Sequence, residues 1–217
     1  DDGSTASDIH RFAICARSCA HETRSRYDGG NRLATMCGIV GIVNLSDHHD
    51  PPSVEILRSM VSALTHRGPD EFGMYRDMRA GLGHARLSIV DLSTGQQPLS
   101  NENGTLWISF NGEIFNFVEL REELELLGHR FRTHSDTEVI VHAYETWGAD
   151  CFARFNGQWA VALWDSANKR LILSRDRVGV RPLYISEQGG RVWFGSEVKA
   201  IFADPSVPRA IDVRGLD

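Results

Sequence analysis

Apolar and polar residues alternate along the chain from residue 36 onward in patterns that predict short strands and amphipathic helices. Residues 36–44 form an apolar run containing glycines, which is typical of a buried strand. Residues 53–65 carry apolar positions at helical spacing after a capping serine, as expected of an amphipathic helix. Residues 83–90 and 105–110 are again strand-like. The first part of the chain therefore predicts strands interrupted by one helix.

Two further helices are predicted in the middle of the chain. Leucines lie on one face of residues 117–127, and Gly128 follows where a helix would end. Residues Ser135 to Glu138 read Ser-Asp-Thr-Glu, the pattern of a capping box. In that motif the serine hydroxyl accepts from the Glu138 amide, and the Glu138 carboxylate accepts from the serine amide. A buried stripe from Val139 to Trp147 follows.

Hairpins are predicted after these helices, with turns at Asn168 and at Gly189-Gly190. The flanking strand-like runs are 158–164, 171–175, 183–186 and 192–196. Short connections of this kind favour antiparallel sheets covered by helices over a parallel sheet. The expected fold class is therefore α+β.

Composition narrows the range of functions. The net charge of −6 without a basic block argues against a nucleic-acid partner, and no apolar run is long enough to predict a membrane span. Four cysteines are too few for a disulfide scaffold in 217 residues, so a reducing cytoplasm is the expected location. The sequence contains no glycine-rich phosphate-binding loop and predicts no metal site.

The first 36 residues differ from the rest, because neither helical nor strand periodicity persists in them. They contain too many acidic residues for a transit peptide and no apolar core of a secretory signal. We expect residues 1–36 to be a disordered leader, upstream translation or a propeptide, and residues 37–217 to be the functional domain.

Cys37 directly follows Met36, the first methionine of the chain. If Met36 is removed, one residue carries both a thiol and a free α-amine. An α-amine titrates near neutrality, at about 7.7–8.0, so it can accept the thiol proton without a histidine. The alternative is that Cys37 is a small buried side chain with no chemical role.

Other residues would complement such a nucleophile in hydrolysing a small amide. Asn111 and the Gly112 amide could stabilise an oxyanion, Arg86 could pair with a carboxylate, and Asp136 could bind an ammonium group. Each also has a structural interpretation. Asn111-Gly112 could form a type I′ turn, Arg86 could be a surface charge, and Asp136 could cap a helix.

Together these motifs resemble class II glutamine amidotransferases, specifically the amidotransferase domain of glutamine-hydrolysing asparagine synthetases. The resemblance covers the chain from Met36 onward. It rests on Met36-Cys-Gly-Ile-Val-Gly, His66-Arg-Gly-Pro-Asp70, His84-Ala-Arg-Leu-Ser-Ile-Val-Asp91, Asn111-Gly-Glu-Ile-Phe-Asn116, Ser135-Asp-Thr-Glu138, Arg175-Asp-Arg-Val-Gly-Val-Arg-Pro-Leu-Tyr184 and Gly195-Ser-Glu-Val-Lys-Ala200. It implies the four-layer αββα sandwich of N-terminal nucleophile hydrolases.

The same resemblance implies roles for individual residues. Cys37 would attack glutamine, and Asn111 with the Gly112 amide would bind the oxyanion. The residues expected around the glutamine carboxylate are Arg86, Leu87, Ile89 and Val90, and those around its ammonium group are Glu113 and Asp136. His66, Arg67 and Asp70 would belong either to a loop that orders over glutamine or to a plain turn at Gly68-Pro69.

The resemblance also implies partners. No cofactor is expected in this domain, whereas ATP and magnesium are expected in a C-terminal synthetase domain that would follow Asp217 and allow a homodimer. Alternatives are an amidotransferase that serves another acceptor, in polysaccharide or antibiotic synthesis, and a non-catalytic remnant. The remnant hypothesis arises because residues 1–36 hold the nitrogen of Cys37 in a peptide bond.

Overall fold

A computed structural model describes residues 36–87 and 95–210 of the 217-residue chain. The strands are β1 Gly38–Asn44, β2 Glu71–Arg76, β3 Ala80–Arg86, β4 Leu99–Ser100, β5 Leu106–Ile114, β6 Gly157–Asp165, β7 Arg170–Arg175, β8 Tyr184–Gln188 and β9 Arg191–Gly195. The helices are α1 Val54–Ser62, α2 Phe117–Leu126, α3 Asp136–Trp147, α4 Cys151–Arg154 and α5 Val198–Ile201, and a 3₁₀ turn at Gly148–Asp150 precedes α4.

The strands form two sheets in which the paired neighbours run antiparallel. One sheet has the order β2-β3-β1-β9-β8, and the other has the order β4-β5-β6-β7. Strand β1 lies at the centre of the first sheet and is buried along its whole length. Such burial requires packing on both faces, so elements must cover this sheet from two sides.

Three apolar clusters show that the layers follow the order helix, sheet, sheet, helix. Leu57 and Met60 of α1 pack with Val40 and Ile42 on the outer face of the first sheet. The cluster between the two sheets contains residues of β1, β3, β6 and β9: Ile39, Val43, Leu82, Ala162, Trp164 and Phe194. Helices α2 and α3 cover the outer face of the second sheet. The predicted αββα sandwich is confirmed.

The predicted signals at two helix ends are confirmed. The Ser53 hydroxyl accepts from the Ile56 amide at 3.3 Å and caps α1. Gly128 adopts φ +100°, its amide donates to the Glu125 carbonyl, and the next amide, of His129, donates to the Leu124 carbonyl. This pair of bonds is a Schellman motif, which ends α2 and directs the chain back toward α3.

The predicted capping box at α3 is wrong in its hydrogen bonds. The Ser135 hydroxyl accepts from the Thr137 amide at 3.1 Å rather than from the Glu138 amide. The Glu138 carboxylate reaches past Ser135 and accepts from the amides of Arg132 and Thr133 at 2.8 and 2.7 Å. Glu138 therefore fixes the α2–α3 connection instead of closing a reciprocal cap.

Two strand boundaries also differ from prediction. β3 begins at Ala80 and ends at Arg86 rather than spanning 83–90, and residues 88–90 lie outside the described part of the chain. β5 continues through Ile114 instead of ending at Phe110. Of the predicted leader, residues 1–36, all but Met36 lie outside the described residues. Within those residues, no helix combines the length and apolar character that a membrane crossing requires.

Candidate active site

A cavity of about 240 Å³ lies at one end of the sandwich, where several predicted site residues meet. Cys37 enters it from just before β1, Arg86 and Leu87 from the end of β3, and Asp136 from the start of α3. The second sheet contributes β5 residues 111–113. Segments distant in sequence thus converge because both sheets end at this cavity.

The Cys37 thiol contacts the main chain of Leu87. Its Sγ accepts from the Leu87 amide at 3.4 Å and lies 3.6 Å from the Leu87 carbonyl oxygen. Burial raises the pKa of the Cys37 thiol, while the Leu87 amide and the charges of Arg86 and Arg181 partly oppose that increase. The thiol is therefore largely protonated at neutral pH and needs a base to become a nucleophile.

Asn111 presents an unpaired donor to the cavity. Its side chain is buried, and its Nδ2 has no hydrogen-bond partner among the described residues. An unpaired buried amide costs free energy, so such a group is a candidate for binding a ligand atom. Gly112 follows it in β5 and also lines the cavity.

Asn111 and Gly112 are not a turn, which corrects the structural alternative for this pair. They pair with Ala160 and Trp159 within the β5–β6 ladder. A Cβ at residue 112 would overlap the carbonyl oxygen of Gln158, so the close approach of the two strands requires glycine.

Arg86 is buried rather than a surface charge. Its Nη1 donates to Glu71 on the neighbouring strand β2 at 2.9 Å, which fixes the guanidinium at the cavity. Leu87 follows it at the same wall. Ile89 and Val90, the other residues predicted around a substrate carboxylate, lie outside the described residues.

Asp136 is the first residue of α3, and Ser135 is its N-cap. The Asp136 carboxylate accepts from the Ile114 amide at 3.0 Å. Burial raises the pKa of Asp136 to about 6, the Ile114 amide opposes the rise, and the charge of Glu113 adds to it. Two carboxylates, Asp136 and the exposed Glu113, thus adjoin the cavity and favour a cationic ligand group there.

The segment around Gly68-Pro69 packs closely against the end of β3. A Cβ at Gly68 would overlap the Ala85 carbonyl, and the Asp70 amide donates to the Arg86 carbonyl at 3.1 Å. Arg67 donates from Nε to the Cys37 carbonyl at 3.3 Å and from Nη1 to Glu197 at 3.1 Å. His66 also contacts Glu197, at 2.9 Å. These contacts brace Cys37 from the outer side of the first sheet.

Comparisons with known proteins agree with this arrangement. A family model described as a glutamine amidotransferase domain matches residues 36–217. The chain belongs to this family.

Curated relatives of this amidotransferase domain include asparagine synthetase 2 of Bacillus subtilis, which is 41% identical over 175 residues. That alignment covers 80% of this chain and 23% of the relative. A probable asparagine synthetase of Dictyostelium discoideum is 43% identical over 171 residues, covering 78% of this chain and 30% of the relative. The chain thus spans 23% to 30% of the length of these two relatives.

A solved structure shares the fold of the domain. The glutamine phosphoribosylpyrophosphate amidotransferase from B. subtilis superposes with a TM-score of 0.63 at 24% identity. The match covers 77% of this chain and 43% of that one. At this identity the likeness shows the fold alone.

Sequence reasoning gave no role to two further residues that line the cavity. Burial lowers the pKa of His84 to about 4, so the ring is neutral, and its Nε2 lies 3.1 Å from the Phe110 carbonyl oxygen. Arg181 contacts the Sδ of Met36, and burial together with Arg67 lowers its pKa. Both residues occur inside the motifs that carry the family resemblance, which was the available signal.

Proposed function

We propose that this domain hydrolyses glutamine to glutamate and ammonia with Cys37 as an N-terminal nucleophile. The observation that carries the proposal is the convergence of the Cys37 thiol, the unpaired Asn111 amide, Arg86 and Asp136 on one cavity. A nucleophile, an oxyanion donor, a cation and an anion are what a small zwitterionic amide requires.

In this mechanism the free α-amine of Cys37 takes the proton from its own Sγ. The thiolate attacks the side-chain carbonyl carbon of glutamine, and the oxyanion accepts hydrogen bonds from Asn111 Nδ2 and the Gly112 amide. The α-ammonium gives its proton to the leaving nitrogen, which departs as ammonia and leaves a thioester. Water then attacks the thioester, again with the α-amine as base, and glutamate leaves.

The α-carboxylate and the α-ammonium group of glutamine, which are attached to the same carbon, would be bound by different residues of the cavity. Arg86 would pair with the α-carboxylate, supported by Leu87 and by Ile89 and Val90 of the same segment. Asp136 and Glu113 would bind the α-ammonium. A bound ammonium would favour ionised Asp136 and so offset the effect of burial on its pKa.

We further propose that the ammonia serves an asparagine synthetase, in which aspartate, glutamine and ATP give asparagine. The curated relatives carry that name, which favours this acceptor over one in polysaccharide or antibiotic synthesis. ATP and magnesium would act in a C-terminal synthetase domain, because the present chain contains no glycine-rich phosphate loop. We also propose a cytoplasmic location and a homodimer of the full-length protein.

The decisive experiment compares chains that differ only at the nitrogen of Cys37. Expression from Met36, with host removal of that methionine, gives a free α-amine, whereas a matched chain keeps one residue before Cys37. We expect ammonia release from glutamine only by the first chain, with the mature N-terminus verified by intact mass. Equal activity in both would refute the α-amine mechanism. Inactivity of both would support the non-catalytic remnant.

A further inference from the structure

A second group of ligand-type side chains lies on α3 and on the connection that precedes it. His129 follows the Schellman end of α2, and His142 and Glu145 are three residues apart on α3. None of the three lines the cavity that contains Cys37. The arrangement therefore needs an explanation separate from glutamine hydrolysis.

Three atoms of this group face one another at short range. His129 Nδ1 lies 3.0 Å from His142 Nδ1, His142 Nδ1 lies 2.9 Å from Glu145 Oε2, and His129 Nδ1 lies 3.6 Å from that same oxygen. For a metal bound at about 2.1 Å, neighbouring ligand atoms are separated by roughly 3.0 Å in an octahedron and 3.4 Å in a tetrahedron. The triangle therefore has the size of a coordination face.

Two of the three side chains are also oriented by a hydrogen bond to a further group. His129 Nε2 lies 2.7 Å from the Thr146 hydroxyl, and Glu145 Oε1 accepts from Asn101 Nδ2 at 2.8 Å. The buried His142 Nε2 has no hydrogen-bond partner among the described residues, but lies 3.6 and 3.7 Å from carboxylate oxygens of Glu102 and Glu138. Such outer partners fix ring orientation in metal sites.

Access and charge are suitable for a cation. The His142 side chain is 1% exposed, whereas those of His129 and Glu145 are 21% and 24% exposed, so the group opens to solvent on one side. Carboxylate oxygens of Glu102 and Glu138 lie within 3.7 Å of His142 Nε2 and add negative charge beside the group.

We propose that His129, His142 and Glu145 form a binding site for a divalent first-row transition ion, with zinc as the representative. Two imidazoles and one carboxylate favour such an ion over magnesium or calcium, which prefer oxygen ligands. The site has a structural role, because it joins the α2–α3 connection to α3.

The test measures zinc binding to the full chain by calorimetry and metal analysis. Glu145→Gln removes the anionic ligand while its amide oxygen can still accept from Asn101, so the fold should persist. His129→Gln removes a second ligand, and His48→Gln is the control because His48 is exposed and outside the group. The four proteins contain the same cysteines, so any zinc bound by thiols contributes equally to the stoichiometry of each protein.

We expect the wild type and His48→Gln to bind one equivalent of zinc more than Glu145→Gln and His129→Gln. Cobalt bound at the site should show d–d absorption without a sulfur charge-transfer band, and Glu145→Gln should lose it. Equal stoichiometry in all four proteins would overturn the site. Circular dichroism checks that each variant is folded. If His129→Gln is unfolded, the comparison of the wild type with Glu145→Gln decides the test.

Amide hydrogen exchange tests the structural role. Zinc should slow exchange in residues 128–134 of the wild type and leave Glu145→Gln unchanged. Binding of the extra equivalent without protection of this segment would overturn the structural role.

Discussion

Cys37 and Cys151 are the two cysteines in the described part of the chain, and burial raises the pKa of both thiols. Cys151 begins α4 inside the apolar core beneath the second sheet, where its pKa reaches about 12. Cys37 instead adjoins the Leu87 amide and a cavity with Asn111. Burial alone does not distinguish the two thiols; the polar groups around each one do.

The difference indicates how this fold prepares one cysteine for chemistry. Cys151 is fully buried among apolar side chains, and no cation of the described residues offsets the effect of burial on its pKa, so the thiol stays protonated and inert. Near Cys37, Arg86 and Arg181 favour the thiolate and partly oppose the effect of burial. A free α-amine would complete this environment by supplying the missing base.

Replacing each of the two cysteines in a separate variant should give the largest difference in glutamine turnover. In protein that begins at residue 37, Cys37→Ala should reduce glutamine turnover by roughly a thousand-fold or more, because no other thiol lines the cavity among the described residues. Cys151→Ser should leave turnover unchanged but lower the free energy of unfolding by about 1–3 kcal/mol, since it buries a hydroxyl in an apolar core. Steady-state kinetics and urea unfolding measure these effects, and loss of turnover in Cys151→Ser would contradict the assignment of Cys37.

The next largest fall in turnover is expected when the side-chain amide of Asn111, which lines the same cavity as Cys37, is removed. Asn111→Ala should lower kcat by about 10²–10³, because one oxyanion donor is lost. Ser109→Ala is a matched control, since Ser109 lies on the same strand, is buried with a hydroxyl that has no partner in the described part of the chain, and does not line the cavity. A comparable fall in kcat for both variants would indicate damage to β5 rather than loss of a donor.

A smaller effect is expected at Asp136, which also lines the cavity. Asp136→Asn should raise the KM for glutamine by about ten-fold at pH 8, equivalent to roughly 1.4 kcal/mol, because it removes the anion that binds the ammonium group. The wild-type KM should rise as pH falls through about 6, where Asp136 becomes protonated. The KM of Asp136→Asn should not follow that titration, and parallel profiles would refute the role of Asp136.

The same Asp136→Asn substitution that weakens glutamine binding should not lower the free energy of unfolding at pH 8. The folded state raises the pKa of Asp136, so it holds a proton that the unfolded state releases between about pH 4 and 6. Stability therefore falls as pH rises through this window, and the penalty is fully present above it. Asp136→Asn should be at least as stable as the wild type at pH 8, whereas Cys151→Ser should be less stable. Urea unfolding at pH 5 and pH 8 checks both signs.

Much of the fold could be predicted from local patterns. Ser53 and Gly128 mark a helix start and a helix end, and the structure confirms both. The glycine pair at 189–190 marks a hairpin turn in the same way. These features depend on the conformational preferences of a few neighbouring residues, so the sequence is sufficient to identify them.

The Asn111-Gly112 pair shows where local preference fails. The pair favours a hairpin turn in isolation, yet it continues β5 because Trp159 and Ala160 of β6 pair with it. Glu138 likewise does not form the predicted capping box and instead accepts from the amides of Arg132 and Thr133. In both cases contacts made after assembly outweigh the local preference.

The sequence by itself determined the α+β class, because that class depends on periodicity. Its short motifs carried the family resemblance, which implied the αββα sandwich and the residues proposed to act on glutamine. The tertiary structure decided how those motifs meet around Cys37. It alone brought His129 to His142 and Glu145, because the α2–α3 connection folds back on α3. A triangle of ligand atoms depends on distances in space, and thirteen residues of sequence separation do not specify those distances.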